Sequence, residues 1–193
     1  MSTHETKTAL LFPGQGLPLN SNHVRSFYDN SDAAKQLFDT VNYDFSPKTP
    51  SLRELCLDGG SELENIRYSQ ACIFLASVAI AEAMKQIGIQ PDAFAGLSLG
   101  EYSALCAADS FDIQSGVNLL AERGKIMADR IPDNTGMAAV LGLGEEEVQA
   151  YCEAASKFGV CEIATYSTKK RLVITGNRPA LEHAKILCEQ RDR

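Results

Sequence analysis

A serine becomes a nucleophile when its hydroxyl stands clear of the backbone, beside donors that can receive developing negative charge. Gly96-Leu97-Ser98-Leu99-Gly100 offers the residue types for that. An apolar run, Ala93 to Leu97, leads into it, and a helical pattern follows at once. A strand turning sharply into a helix holds a serine in a strained corner with its hydroxyl exposed. Gly96 and Gly100 leave room for the turn and for close strand–helix packing. The N–H of Leu99 then points to where an oxyanion would form. The plainer alternative is a serine that caps the helix. The strand before and the helix after favour the nucleophile.

An activated serine needs a base, and in hydrolases with this corner an acid and a histidine follow the serine. His183 is the only histidine after Ser98. It lies two residues from Leu181 in a helical pattern, beside the apolar stripe, and reads as a structural histidine. Two other residues could contribute. Gln15 follows Pro13-Gly14 at the carboxyl end of a short apolar run, where open α/β sheets bind ligands. On spacing alone it reads as a plain turn residue. Arg123 flanks the stripe Ile113, Val117, Leu120, Ala121, Met127 and Ile131, and could keep its stem packed while aiming its guanidinium into a cleft. Taken alone it reads as a solvated arginine on a helix edge. Six cysteines are scattered without a Cys-x-x-Cys, and His4 and His23 are remote, so no metal-ligand spacing is present.

The elements that must position these residues follow from periodicity. Thr8 to Phe12 predicts a buried parallel strand. Ser31 can cap a helix to about Val41, and Ser51 to Leu57 is a short helix stopped by Asp58-Gly59-Gly60. Ser61 and Glu64 have capping-box spacing for another short helix. Ser69-Gln70 precedes a long apolar helix over about 71–87, which needs cover on most faces. The corner strand and its helix, about 99–108, come next. Asp112 caps a helix over about 113–131. Pro132-Asp-Asn-Thr-Gly136 is the best linker, dividing the chain into 1–134 and 135–193. The second part reads as strand 137–143, helix 145–157, strand 160–166, turn 168–170, strand 172–175 and a helix capped by Asn177 to about Gln190. That order is βαββα, the βαββαβ motif without its last strand. The pattern predicts a truncation of something longer, with an uncovered ladder edge.

Composition narrows the function class. The 193 residues are 45% hydrophobic and 22% charged, an ordinary globular balance. The net charge of −7 argues against nucleic acid and against an anionic membrane surface. The longest apolar run, Ala71 to Ala81, is far too short for a membrane span. No targeting segment is visible. Most cysteines fall on apolar positions, as buried thiols of a reducing compartment do. The expectation is a monomer in the cytoplasm or in an organelle stroma or matrix.

Together, Leu11-Phe-Pro-Gly-Gln-Gly16, Ser69-Gln70, Gly96-Leu-Ser-Leu-Gly-Glu-Tyr102 and Glu122-Arg-Gly-Lys-Ile-Met127 resemble the malonyl-CoA:acyl-carrier-protein transacylases over about residues 8–190, and the plant-type enzymes look similar at the Leu97 position. The resemblance implies an α/β class: an α/β-hydrolase-like large subdomain with a parallel sheet, and an inserted ferredoxin-like small one, both incomplete at the C-terminus. It implies that malonyl passes from coenzyme A to the phosphopantetheine thiol of acyl carrier protein, in fatty acid biosynthesis, with no bound cofactor. Ser98 matches the catalytic nucleophile, and the N–H groups of Gln15 and Leu99 match the oxyanion hole. Arg123 matches the arginine that pairs with malonyl's free carboxylate, and Gln70 a pocket glutamine. For Gln15 and Arg123 this replaces the bland readings. Three departures stand out. Leu97 occupies a position where many members have histidine. Ala164-Thr165-Tyr166-Ser167 stands where an asparagine-containing strand end is usual. The family's catalytic histidine falls beyond Arg193, so the chain alone is expected to be nearly inactive. A serine esterase or thioesterase, or an inactive transacylase fragment, are the competing readings.

Overall fold

The computed structural model describes residues 7–16 and 19–191. The chain divides into two compact units, one ending at Arg130 and the other beginning at Ile131. Both are α/β.

In the first unit, β1 (Ala9–Phe12) pairs in parallel with β2 (Ala93–Gly96), in the register Ala9 to Ala93 through Phe12 to Gly96. The connection between them is helical. It comprises α1 (Ser21–Asn30), α2 (Asp32–Thr40), α3 (Leu52–Asp58) and α4 (Ile66–Gln86). Then come α5 (Leu99–Ala107) and α6 (Ile113–Arg130). Local chemistry sets several boundaries. Ser31 Oγ accepts from Ala34 N–H at the start of α2, and Ser51 forms a full capping box with Glu54 at α3. Asp112 accepts the Ser115 N–H at 2.8 Å ahead of α6. The core gathers around α4. Phe74, Leu75 and Val78 are buried with Phe38, Leu52, Leu55, Leu99, Val117 and Leu120. Each fully buried side chain of this size stabilises by roughly 1.5–3 kcal/mol.

Three boundaries depart from expectation. α4 begins at Ile66, not near 71, because Asn65 Oδ1 accepts from Arg67 N–H and caps it. Ser69 and Gln70 therefore lie inside its first two turns, as its only buried polar residues. Ser61 is not a cap: Gly60 holds the cap position of a 3-10 turn over Ser61–Glu64 that has no side-chain cap. The polar helix α1, capped by Asn20, buries only Val24 and gave no apolar stripe to read.

In the second unit, β3 (Thr135–Leu141), β4 (Cys161–Thr168) and β5 (Arg171–Asn177) form an antiparallel sheet in the order β3-β5-β4. Helices α7 (Glu145–Ala155) and α8 (Arg178–Arg191) pack on it and on each other. Leu172 and Ile174 of the central strand meet Val148, Cys152, Ala155, Ala180 and Ala184. Asn177 ends β5, and its Oδ1 accepts from Val160 N–H at 2.7 Å. That cross-strand bond takes up the side chain expected to cap α8.

Candidate active site

The two parallel strands of the first unit end at the same level, with Phe12 opposite Gly96. Their following turns therefore lie on each other. Leu97 N–H donates to Phe12 O at 3.3 Å. The contact is backbone against backbone, and three glycines permit it. A Cβ on Gly14 would sit 2.7 Å from Leu97 O, one on Gly100 2.3 Å from Phe12 O, and one on Gly96 2.0 Å from the Gly100 carbonyl. No side chain could yield at these points, because the obstructing atoms belong to the main chain.

Ser98 sits at the corner with φ 53° and ψ −108°, outside the left-handed helical well. Such a conformation costs of order 1–3 kcal/mol for a residue with a side chain. Its hydroxyl is exposed and does not cap α5, so the helix-cap alternative fails. The Oγ instead accepts from Arg123 Nη2 at 3.4 Å. Leu99 follows as the first residue of α5, with its side chain in the core. Among the described residues, neither the Gln15 nor the Leu99 N–H donates to a backbone carbonyl outside regular elements.

Arg123 lies half-buried on α6. Its Nη1 donates to Gln70 Oε1, and its guanidinium lies over the Tyr102 ring, 5.7 Å from the centroid. Cation–π contacts at partly exposed sites contribute roughly 0.5–1 kcal/mol. The neighbouring glycine explains the reach. A Cβ on Gly124 would lie 2.7 Å from Ile66 O and 2.9 Å from Arg67 O. Gly116, two turns earlier, would collide with the Phe74 ring at 2.2 Å. α6 thus runs against α4 closely enough for Arg123 to meet Gln70.

Gln70 is fully buried. Its Nε2 lies 3.1 Å from Gln15 Oε1 and 3.1 Å from Met127 Sδ. Gln15 Nε2 is 3.5 Å from Ser69 Oγ. The structure so connects Gln15, Gln70, Arg123 and Ser98 by side chain, with Leu99 adjacent in the chain. This cluster sets an exposed hydroxyl beside a permanent cation, with the Gln15 turn tied to the same buried amide. Sequence reasoning assigned no part to Tyr102, Met127 or Ser69. Gly124 was the available signal: a mid-helix glycine costs about 1 kcal/mol against alanine and so marks a close approach.

His183 of the second unit packs against Phe158 with ring centroids 4.5 Å apart and planes tilted by 40°, in keeping with its structural reading. Among the described residues, no cluster of histidine, cysteine or carboxylate could hold a metal ion, and no helix is long and apolar enough to cross a membrane.

Comparison with known proteins adds four findings. Residues 10–193 match the acyl transferase domain family. A malonyl CoA-acyl carrier protein transacylase of Bacillus subtilis is 33% identical over 188 residues, which are 96% of this chain and 58% of that protein. FabD from Acinetobacter baumannii superposes with a TM-score of 0.85 at 30% identity, over 96% of this chain and 59% of that one. A malonyl-transacylase solved in complex with its type II PKS acyl-carrier protein superposes with a TM-score of 0.76 at 27% identity, over 96% of this chain and 60% of that one. The chain therefore spans somewhat under two thirds of the length of the relatives it matches.

Proposed function

The chain belongs to the acyl transferase domain family, and from that premise we propose that it moves malonyl from coenzyme A to the phosphopantetheine thiol of acyl carrier protein. Ser98 Oγ attacks the thioester carbonyl, the C–S bond breaks, and coenzyme A leaves as its thiol with the serine's proton. The carrier's thiol then attacks the seryl ester, and Ser98 regains a proton as malonyl leaves. The Gln15 and Leu99 N–H groups receive the oxyanion in both halves. Arg123 holds malonyl's free carboxylate, for which a planar, permanently charged fork is suited. By the family resemblance, a histidine beyond Arg193 carries the proton.

The observation that carries this reading is the approach of Arg123 to Ser98, a permanent cation beside a strained, exposed hydroxyl. A neutral-ester or thioester hydrolase has no use for that cation, which disfavours the esterase alternative. In fold terms, the first unit is the N-terminal part of an α/β-hydrolase-like subdomain and the second a ferredoxin-like one, supported by the βαββα order. The protein works as a monomer in the cytoplasm or an organelle stroma or matrix, with no bound cofactor. Fatty acid biosynthesis is the pathway proposed, with polyketide synthesis as the second reading.

The test, in a chain completed through the family's histidine, is Ser98 acylation by malonyl-CoA and by acetyl-CoA, followed by mass spectrometry. Ser98→Ala should abolish the adduct. Arg123→Ala should lower the malonyl-to-acetyl ratio about 10- to 100-fold, the equivalent of losing a charge-assisted pair of roughly 1.5–3 kcal/mol. An unchanged ratio removes Arg123 from donor recognition.

A further inference from the structure

Gln70 joins three elements at one buried point. It stands on α4, bonds Arg123 on α6, and bonds Gln15 on the turn after β1. Both ends of its carboxamide are engaged, and none of its surface reaches solvent. A side chain so enclosed acts first on the protein groups that surround it.

The residue type carries the rest of the argument. Toward Arg123 the position needs an acceptor, and toward Gln15 Oε1 it needs a donor. A carboxamide supplies both from one group. A glutamate would also accept from Arg123, but its charge would pair with the guanidinium and compete with any second carboxylate. It would also set an acceptor against Gln15 Oε1. An apolar residue would leave the Nη1 donor and the Gln15 oxygen unpaired. With Gln70 on one N–H, Tyr102 on the ring face and Ser98 at a long 3.4 Å, the guanidinium is fixed but not neutralised.

We propose that Gln70 is a positioning residue: an uncharged strut that fixes the Arg123 guanidinium and the Gln15 turn together, and leaves the arginine's charge for a ligand carboxylate. The last clause rests on the reading of Arg123 given under Proposed function. Donor recognition and the turn that carries the Gln15 N–H are then mechanically linked through one amide.

The experiment uses the 193-residue chain with Gln70→Glu, Gln70→Met and Gln15→Ala, and takes two readouts. One is side-chain nitrogen NMR of the arginines, in which a pinned guanidinium shows hindered rotation, with Arg123 assigned by its loss in Arg123→Ala. The other is calorimetric affinity for malonyl-CoA and for acetyl-CoA. Gln70→Met should free the guanidinium and weaken malonyl-CoA about 10-fold with acetyl-CoA unchanged. Gln70→Glu should keep the guanidinium pinned and still weaken malonyl-CoA at least as much. Gln15→Ala, an exposed change that spares the core, should loosen the guanidinium and weaken malonyl-CoA about threefold. A pinned Arg123 in Gln70→Met, wild-type malonyl-CoA affinity in Gln70→Glu, or no effect of Gln15→Ala on either readout would overturn the strut. A wild-type chain that binds both donors equally would instead overturn the carboxylate reading of Arg123, and the guanidinium spectra would still decide whether Gln70 pins it.

Discussion

The unit that holds Ser98 builds its sheet from two four-residue strands, while the other unit uses three strands of seven or eight. The unit with the smaller sheet carries the buried polar side chains Ser69, Gln70 and Ser103, and among the described residues the other buries none. Both depend on glycines pressed against backbone, to different ends. Gly96, Gly100 and Gly14 bring two turns together under Ser98. Gly176 lets the start of β4 approach β5, since a Cβ there would lie 1.9 Å from Val160 O. The second unit has a groove of about 1030 Å³ between β3 and α8, but Met137, Leu141 and Leu181 wall it, without a buried polar cluster. Concavity alone therefore does not mark the chemistry. What distinguishes the Ser98 region is a set of polar groups held by backbone contacts that leave no slack.

The sharpest way to break this comparison is to place one methyl in each unit. Gly96→Ala and Gly176→Ala should each cost roughly 3 kcal/mol, because only main chain can move aside. Urea unfolding followed by unit-specific probes would measure both. In a chain completed through the family's histidine, only Gly96→Ala should also abolish Ser98 acylation in the absence of denaturant. Equal loss of acylation in the two variants would erase the distinction between a glycine that builds a site and one that builds a sheet.

Gly124→Ala should cost less, about 1–3 kcal/mol, since a helix can shift by fractions of an ångström. It should nonetheless flatten the malonyl-to-acetyl preference, because α6 would carry Arg123 away from Gln70. A variant that is destabilised yet keeps its preference would show that the arginine reaches its place without the close helix contact.

A smaller effect lies in the buried thiols and should touch both units. Burial raises the Cys106 thiol of the first unit to about 11 and, with the neighbouring Cys161, the Cys152 thiol of the second to about 12. These groups bind their proton more tightly folded than unfolded. Their contribution is complete below the unfolded value near 9 and is lost as pH rises through 11–12. Urea midpoints should be flat in this respect from pH 7 to 8 and fall above pH 9. A midpoint unchanged at pH 11 would show that ionised thiols are tolerated in both cores.

The smallest change expected has the opposite sign. Ser98→Gly should stabilise the first unit by about 1 kcal/mol, since glycine adopts φ 53° without strain and gives back part of that gain in unfolded-state entropy. Thermal unfolding of this variant beside Ser98→Ala, which keeps the strain, isolates the term. Equal midpoints would mean the corner stores none.

The local chain already determined much of this protein. Turn chemistry and periodicity act over a few residues, so β1 with its Pro-Gly turn, the Ser98 corner, the caps at Ser31 and Asp112, and the βαββα order were all legible in the sequence, whereas the expected burial of β1 was not met, since Leu11 stands exposed. Resemblance of four short motifs added Gln15, Gln70 and Arg123, which spacing alone left as a turn residue, a helix flank and a solvated edge. Tertiary structure decided the rest. The start of α4 depends on the Asn65 cap ahead of a polar turn that has no apolar stripe to announce it. Asn177 turned from its helix to Val160 because an N–H seventeen residues away was within reach. The bonds from Gln70 to Arg123 and to Gln15 span 53 and 55 residues. The bond to Arg123 exists because α4 and α6 cross at backbone contact, a distance set by what Gly124 lacks, while the bond to Gln15 ties α4 to the turn after β1. A missing side chain is visible in a sequence, but the neighbour it makes room for is fixed only when the chain has folded.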